Sequence, residues 1–468
     1  MTEQEELILL RAENAVLRAE QQVFRETITV LTNEVSILTE KVNLLLKIIE
    51  KQNIKKDSHN SSLAPSSDIN RKNASLRPKS HLKMGGQIGH KGHTLEQTTT
   101  PDRVIDLKSD FCQICGQSME GNIHQLVSRR QVVDIPPIVP IYEEYRQYAC
   151  NCTKCGHTQK AAYPTGVNAP IQYGSQVMTL ASYLSVYQYL PYHRLSKLFA
   201  TVFNLPISQG SIDNLLTKAS DKAQVVYEQI RQNILQSSVV GSDETSAKVN
   251  GKKWWIWVWQ NKLNTFIAAS ENRGFATISK HFEEGFANAT LISDRWAAQL
   301  KSIALNHQLC IAHLLRDSIF LQESEKNPFA TAFLTLLKDA LAFRKELEET
   351  KIATNNKHGK VVDLEIQLNN LLALAIDSKI YPLTATFQES IIKYRNYLFP
   401  FLYNLDIPPD NNGSERAIRN VKVKQKISGQ FKSGQTTFCV LRSVIDTFIK
   451  RKLDVFYTLR QLMELQPE

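Results

Sequence analysis

The sequence predicts a multidomain chain of α/β plus α class. Three observations carry that reading. Six uninterrupted heptads open the chain, two CxxCG pairs follow, and a strand–turn–strand at 239–260 begins a β-rich block between helical stretches.

At 468 residues the chain has room for several domains with their own cores. A hydrophobic fraction of 42% and a charged fraction of 22% are ordinary for a globular protein, while a net charge of +10 points to a polyanionic partner. The acidic opening MTEQEELILL lacks the basic start of a signal peptide. No apolar run approaches the roughly 20 residues that cross a bilayer. The expectation is a cytoplasmic protein with no membrane partner. Seven cysteines in a reducing compartment point to metal rather than disulfides, because five of them fall between Cys112 and Cys155.

Residues 1–56 read as a coiled-coil helix. Leu10, Leu17, Phe24, Leu31, Leu38 and Leu45 take d; Asn14, Gln21, Ile28, Val35, Val42 and Ile49 take a. β-Branched a positions with Leu at d favour a parallel two-stranded coil, so a homodimer is expected. An amphipathic helix packed on its own chain is the alternative. Residues 57–100 form a basic, flexible linker; between Ile69 and Leu95 there are six Lys or Arg and no acid. It is either a phosphate-tracking arm or a plain solvated linker.

Residues 101–165 read as a zinc-ribbon-like module. Cys112 and Cys115, then Cys152 and Cys155, supply four thiolates for one Zn²⁺, with Gly116 and Gly156 allowing the tight turns. The 36 residues between the pairs exceed the common spacing, and VVDIPPIVPIYEEYRQYA reads as two strands. Cys150 is a rival ligand, and reduced or redox cysteines are the other readings. Residues 166–236 are helical by period. The segments around LPISQGS admit a DNA-binding helix-turn-helix or a helical spacer, with Ser208 as a helix cap.

Residues 237–322 form the β-rich block. Asn250-Gly251 marks a hairpin with Asp243 on its first strand. A carboxylate there costs desolvation unless something uses it. Alternation sends Glu244 to the opposite face. Trp254, Trp255, Trp257 and Trp259 on the second strand imply burial on both faces or a DNA-facing side. A third strand, a helix over 275–284 and a short strand LIS follow, with Asp294 at the strand's C-terminal end, where such sheets gather ligands. His307, Cys310 and His313 fall at helical spacing. They are either a metal triad or ordinary core and cap positions.

Residues 323–404 read as a helical insertion. Residues 405–430 return to the block. A helix starting near Ser414 carries Glu415 in its first turn, and from Arg416 to Arg442 there are seven Lys or Arg and no acid. Arg416, Arg419, Lys422, Lys424 and Lys426 are candidates for phosphate contact. Residues 431–468 form a C-terminal helical tail.

Three carboxylates on separate elements suit two Mg²⁺ ions working on a phosphodiester. No Walker loop, GxSxG elbow or HExxH is present for other chemistries. The motifs KKDSHNSSLAPSSD, GGQIGHKGH, the CxxCG pairs with RRQVVDIPPI between them, SDET, HQLCIAHLLRD and NNGSERAIRNVKVKQKISG together resemble the DDE-type transposases of the insertion-sequence-66 family. The resemblance spans nearly the whole chain. It implies a ribonuclease-H-like catalytic core with a helical insertion, a zinc module and an oligomerising N-terminal helix. It implies that Asp243, Asp294 and Glu415 bind two Mg²⁺ for DNA end cleavage and strand transfer, at the bacterial nucleoid, with accessory proteins from the same element. Two stretches depart from the family's pattern: Arg295-Trp296 after the second acid, and FIKRKLDVFYTLRQLME. Two rival functions stay open: an inactive zinc-ribbon DNA-binding regulator, and a structure-specific nuclease without strand transfer.

Overall fold

The computed structural model describes residues 3–53, 60, 85, 89–92, 94–349 and 354–465. Most of the basic linker, the turn at 350–353 and the side chains of Leu45 and Ile49 lie outside them. By contact the chain divides into two units: one of 1–72, 162–195 and 209–468, the other of 73–161 and 196–208.

The first unit opens with α1 (Glu3–Asn53), one unbroken helix of 51 residues. Its a and d side chains from 10 to 42 are exposed, Phe24 by 67%. Among the described residues none covers this apolar stripe from 10 to 42.

The second unit holds the cysteine pairs. A hairpin of β1 (Ala149–Asn151) and β2 (Thr158–Lys160) encloses the second pair. The two strands expected between the pairs do not form, since 131–148 is irregular. Pro136, Pro137 and Pro140 explain it: each lacks the N–H a ladder needs. Apolar side chains here stay exposed, Ile114 by 98%.

Helices α2 (Ser175–Ser182), α3 (Tyr192–Val202) and α4 (Gln209–Leu235) follow, with a π-helical turn at Tyr183–Tyr187 after α2. Helix α4 leads into the central sheet of β3 (Val239–Val249), β4 (Lys252–Gln260), β5 (Thr265–Ser270), β6 (Phe286–Ser293) and β7 (Ala304–Leu309). Their order is β5-β4-β3-β6-β7; β3, β4 and β5 are antiparallel neighbours, while β3, β6 and β7 run parallel.

The hairpin forms because Asn250 (φ 45°) and Gly251 (φ 80°) both take the left-handed backbone that a type I′ turn requires. The tryptophan strand is mostly core: Trp257 and Trp259 are fully buried, and Trp259 meets Phe266, His281 and Phe282. Helix α5 (Phe275–His281) crosses from β5 toward β6, and α6 (Ala297–Leu300) lies between β6 and β7. Strand β7 corrects the expected helical run: His307 sits on this strand, its ring against Tyr397, and only Cys310 and His313 reach the next helix.

Helices α7 (Ile311–Glu325), α8 (Pro328–Glu349), α9 (Thr354–Leu372), α10 (Pro382–Lys393) and α11 (Pro400–Tyr403) follow the sheet. Phe333, Leu337, Leu368, Ile391 and Phe401 share one core with Ile292 and Leu309 of the sheet. Buried Arg344 donates to the carbonyls of Phe401, Asn404 and Leu405, tying α8 to the end of α11 and the turn after it. The chain then returns as α12 (Asn412–Ser428), α13 (Gln435–Lys450) and α14 (Val455–Glu464). Helix α12 lies against β3 and β4, and α13 against β5 and α4.

Candidate active site

The parallel pairing sets the site. Gly241 on β3 lies opposite Ile292 on β6, so Asp294, just past the end of β6, comes level with Asp243 on β3. Glu415 arrives from the first turn of α12.

The docking of α12 is tight and specific. Asn411, its N-cap residue, is buried at 3% exposure. Its amide donates to the Ser242 carbonyl (2.7 Å) and accepts from the Ser414 hydroxyl (2.6 Å), while its backbone N–H donates to Cys310 Sγ (3.2 Å). A buried polar side chain is affordable only when its groups are paired, and these pairings join β3, α7 and α12 at one point. Glycine lets the elements close: a Cβ at Gly241 or at Gly413 would stand 2.5 Å from Gln260 Nε2.

Asp243 lies within the field of the other acids. Burial, then the charges of Asp294 and Glu244, then that of Glu415, push the Asp243 carboxyl well above the usual range; a hydrogen bond from the Glu244 N–H opposes them. Burial and the Asp294 charge raise Glu244 to about 7, outweighing the Arg273 guanidinium bound to it. Glu244 does leave the Asp243 face, as alternation requires, but its side chain is buried rather than idle. Arg273 and Gln299 hold it, at 2.8 and 3.0 Å.

Glu415 has one cationic neighbour in Arg316 at 3.5 Å; His313 Nε2 lies 4.0 Å away, and burial, with the Arg316 charge, lowers its pKa and favours the neutral ring. Among the described residues, Cys310, His313 and Glu415 bring three ligand atoms within 4.8 Å of one another. His307 is not with them. The Cys310 thiol is pushed up to about 12, chiefly by burial, which makes it a poor thiolate donor. Asp243 feels the charges of both Asp294 and Glu415, but neither aspartate belongs to that tighter group.

The donor chemistry fits a hard divalent cation. The facing groups are carboxylate oxygens, and their mutual repulsion at Asp243 is what such an ion relieves.

The basic residues of α12 divide. Arg416, Arg419 and Lys426 are exposed. Lys422 donates to the Ser246 carbonyl at 3.0 Å. Lys424 is buried at 8% exposure, because Ser414, Ala417, Val421 and Lys424 continue one core-facing stripe. Its ammonium lies 5.9 Å from the Tyr192 ring centroid, and burial lowers it to about 8.

In the second unit the two knuckles repeat one geometry. Gly116 N–H donates to the Cys112 carbonyl (2.9 Å) and Gly156 N–H to that of Cys152 (2.8 Å), with φ of 74° and 77° at the glycines. Backbone N–H groups of Cys115 and Ile114 favour the Cys112 thiolate, and those of Cys155 and Lys154 the Cys152 thiolate. Each pair is together; the structure does not gather the four sulfurs into one ligand group.

Comparison with known families assigns the part of the chain that carries this sheet. Residues 170–437, more than half of the chain, match the model of the IS66 family of transposases. The chain therefore belongs to that family. Residues 10–96 match a family of unknown function. No curated protein matches the chain. No helix among the described residues is long and apolar enough to cross a membrane.

Proposed function

We propose that the chain is a DDE transposase that cuts the ends of its element and joins them to target DNA, with Asp243, Asp294 and Glu415 holding two Mg²⁺. The observation that carries this reading is the mutual electrostatic action of carboxylates from three separate elements beside a basic helix. The β5-β4-β3-β6-β7 order, antiparallel on one side of β3 and parallel on the other, supports a ribonuclease-H-like core. Bound there, the metal pair supplies an activated attacking oxygen and neutralises charge on the leaving oxygen.

The chain's own residues do the rest. Asp243 is held rigid by the sheet. Glu415 is set by the Asn411 junction and partly balanced by Arg316. Exposed Arg416, Arg419 and Lys426 neutralise phosphates on the incoming strand, while Lys422 and Lys424 brace α12 rather than contact DNA. Cys112 with Cys115, and Cys152 with Cys155, each present a pair of thiols for Zn²⁺; one ion shared by all four would require the two pairs to close on each other. The exposed stripe of α1 pairs with a second copy, so that two ends are handled together.

The test is cleavage of labelled duplexes carrying the element's own ends, with Mg²⁺. Wild type yields nicked ends and then joined strands, and Asp243→Asn yields neither. Binding without cutting favours the inactive regulator; nicks without joined strands favour the simple nuclease.

A further inference from the structure

The loop that carries Asp294 is held by a neighbouring loop, and that grip has no part in the chemistry above. Arg273, between β5 and α5, places its guanidinium 3.7 Å from the Trp296 ring centroid and 4.6 Å from that of Trp255. The same group reaches Glu244 through Nε (3.0 Å) and Nη2 (2.8 Å). The Arg273 carbonyl accepts from the Trp296 indole N–H at 3.4 Å. Trp296 is thus held on its ring face and at its ring edge by one residue.

Trp296 in turn holds the acid. Its backbone N–H donates to Asp294 Oδ1 at 3.0 Å. Glu244 is the fixed end of the chain: its side chain is 2% exposed, one oxygen taken by Arg273 and the other by Gln299 at 3.0 Å. A carboxylate so engaged on both oxygens is an anchor, not a further metal ligand.

We propose that Arg273 is a positioning residue for Asp294, acting through Trp296, with Glu244 as its counter-ion. The inference rests on the reading of Asp294 as a metal ligand. It gives a role to the Arg295-Trp296 departure: a tryptophan at this point supplies both a face for a guanidinium and an indole N–H. Lysine does not replace Arg273, because an ammonium neutralises Glu244 but has no planar group to fork onto the carboxylate and lie over the rings. Loss of a residue that orients a metal ligand typically costs 10–100-fold in metal affinity or activity.

The experiment is Mn²⁺ binding followed by electron paramagnetic resonance, with the Mg²⁺ dependence of end cleavage and the thermal midpoint measured alongside. The proteins are wild type, Arg273→Ala, Arg273→Lys, Trp296→Ala, Trp296→Phe and Asp294→Asn. Arg273→Ala, Arg273→Lys and Trp296→Ala are expected to weaken Mn²⁺ binding about 10–100-fold and raise the Mg²⁺ needed for half-maximal cleavage by the same factor, with much of the maximal rate recovered at saturation. Trp296→Phe keeps a ring over Arg273 and stays within about threefold of wild type. If Asp294→Asn loses Mn²⁺ while Arg273→Lys and Trp296→Ala bind it as wild type does, the positioning role is wrong. If Asp294→Asn itself binds Mn²⁺ normally, the underlying metal-ligand reading fails first.

Discussion

Replacing Gly413 by alanine is expected to disable the site without touching an acid. The added Cβ would stand 2.5 Å from Gln260 Nε2 and 2.9 Å from both Cδ and Oε1. Gln260 is not free to swing away. Its amide is walled by Gly241 on the other side, and its Oε1 accepts from Lys450 Nζ at 2.7 Å. Either α12 shifts off the sheet or Gln260 gives up Lys450. Overpacking of this kind costs about 1–3 kcal/mol, and the lost hydrogen bond about 1 kcal/mol more, so a total of roughly 2–4 kcal/mol is expected. Glu415 lies two residues further along the same first turn, and a shift on the order of 1 Å in a reacting group can reduce rate about 100-fold. Thermal denaturation and end cleavage with Mg²⁺ measure the two effects. Adding Gln260→Ala to Gly413→Ala makes room for the Cβ and should recover part of the cleavage. A Gly413→Ala protein with wild-type stability and wild-type cleavage would refute the close-approach argument.

Other expectations follow from the same geometry. Arg419→Ala and Lys426→Ala should each weaken DNA binding and lower the slope of log affinity against log salt by about 1, whereas Lys424→Met should leave that slope unchanged. Lys450 donates to Gln260 Oε1, Asn261 O and Asn264 O, and burial, against Asp446 and together with Arg416, lowers it from its ordinary value to about 7. The unfolded chain then binds the extra proton between that value and the ordinary lysine range. Wild-type stability should therefore rise with pH from about 7 towards 10, and Lys450→Met should flatten that rise, most clearly between about 7 and 8, below the range where Lys424 adds its own share, in urea unfolding followed across pH. Deleting residues 3–53 should halve the mass found by sedimentation if α1 pairs two copies; an unchanged mass contradicts the coiled-coil dimer.

Local chemistry made part of this architecture legible. Asn250-Gly251 announces a hairpin because few residues accept both positive φ values, and the short apolar run LIS marks a buried strand that ends just before Asp294. Strand β7 was not legible: ALNHQL is a short parallel strand, and the spacing of His307, Cys310 and His313 imitates a helical face across a strand–helix junction. The strands expected around Ile135 failed against three prolines whose missing N–H groups outweighed β propensity. Lys424 carried its own warning, since it continues the spacing of Ser414, Ala417 and Val421 on the core side of α12. Nothing local marked the pairing of Arg273 with Glu244 and Trp296, or Asn411 as more than a turn residue. Those contacts join residues brought together only by the sheet and the returning helix.

If Asp243, Asp294 and Glu415 share one metal pair, an ion bound there lies close to all three segments of the backbone. Fe²⁺ in place of Mg²⁺, with ascorbate and peroxide, cuts a polypeptide next to the bound ion, and mass spectrometry maps the cuts. Scission close to 243, 294 and 415 together, suppressed by excess Mg²⁺ and lost in Asp243→Asn, is the predicted result. Scission near only one of the three, or confined to the cysteine knuckles, would contradict it.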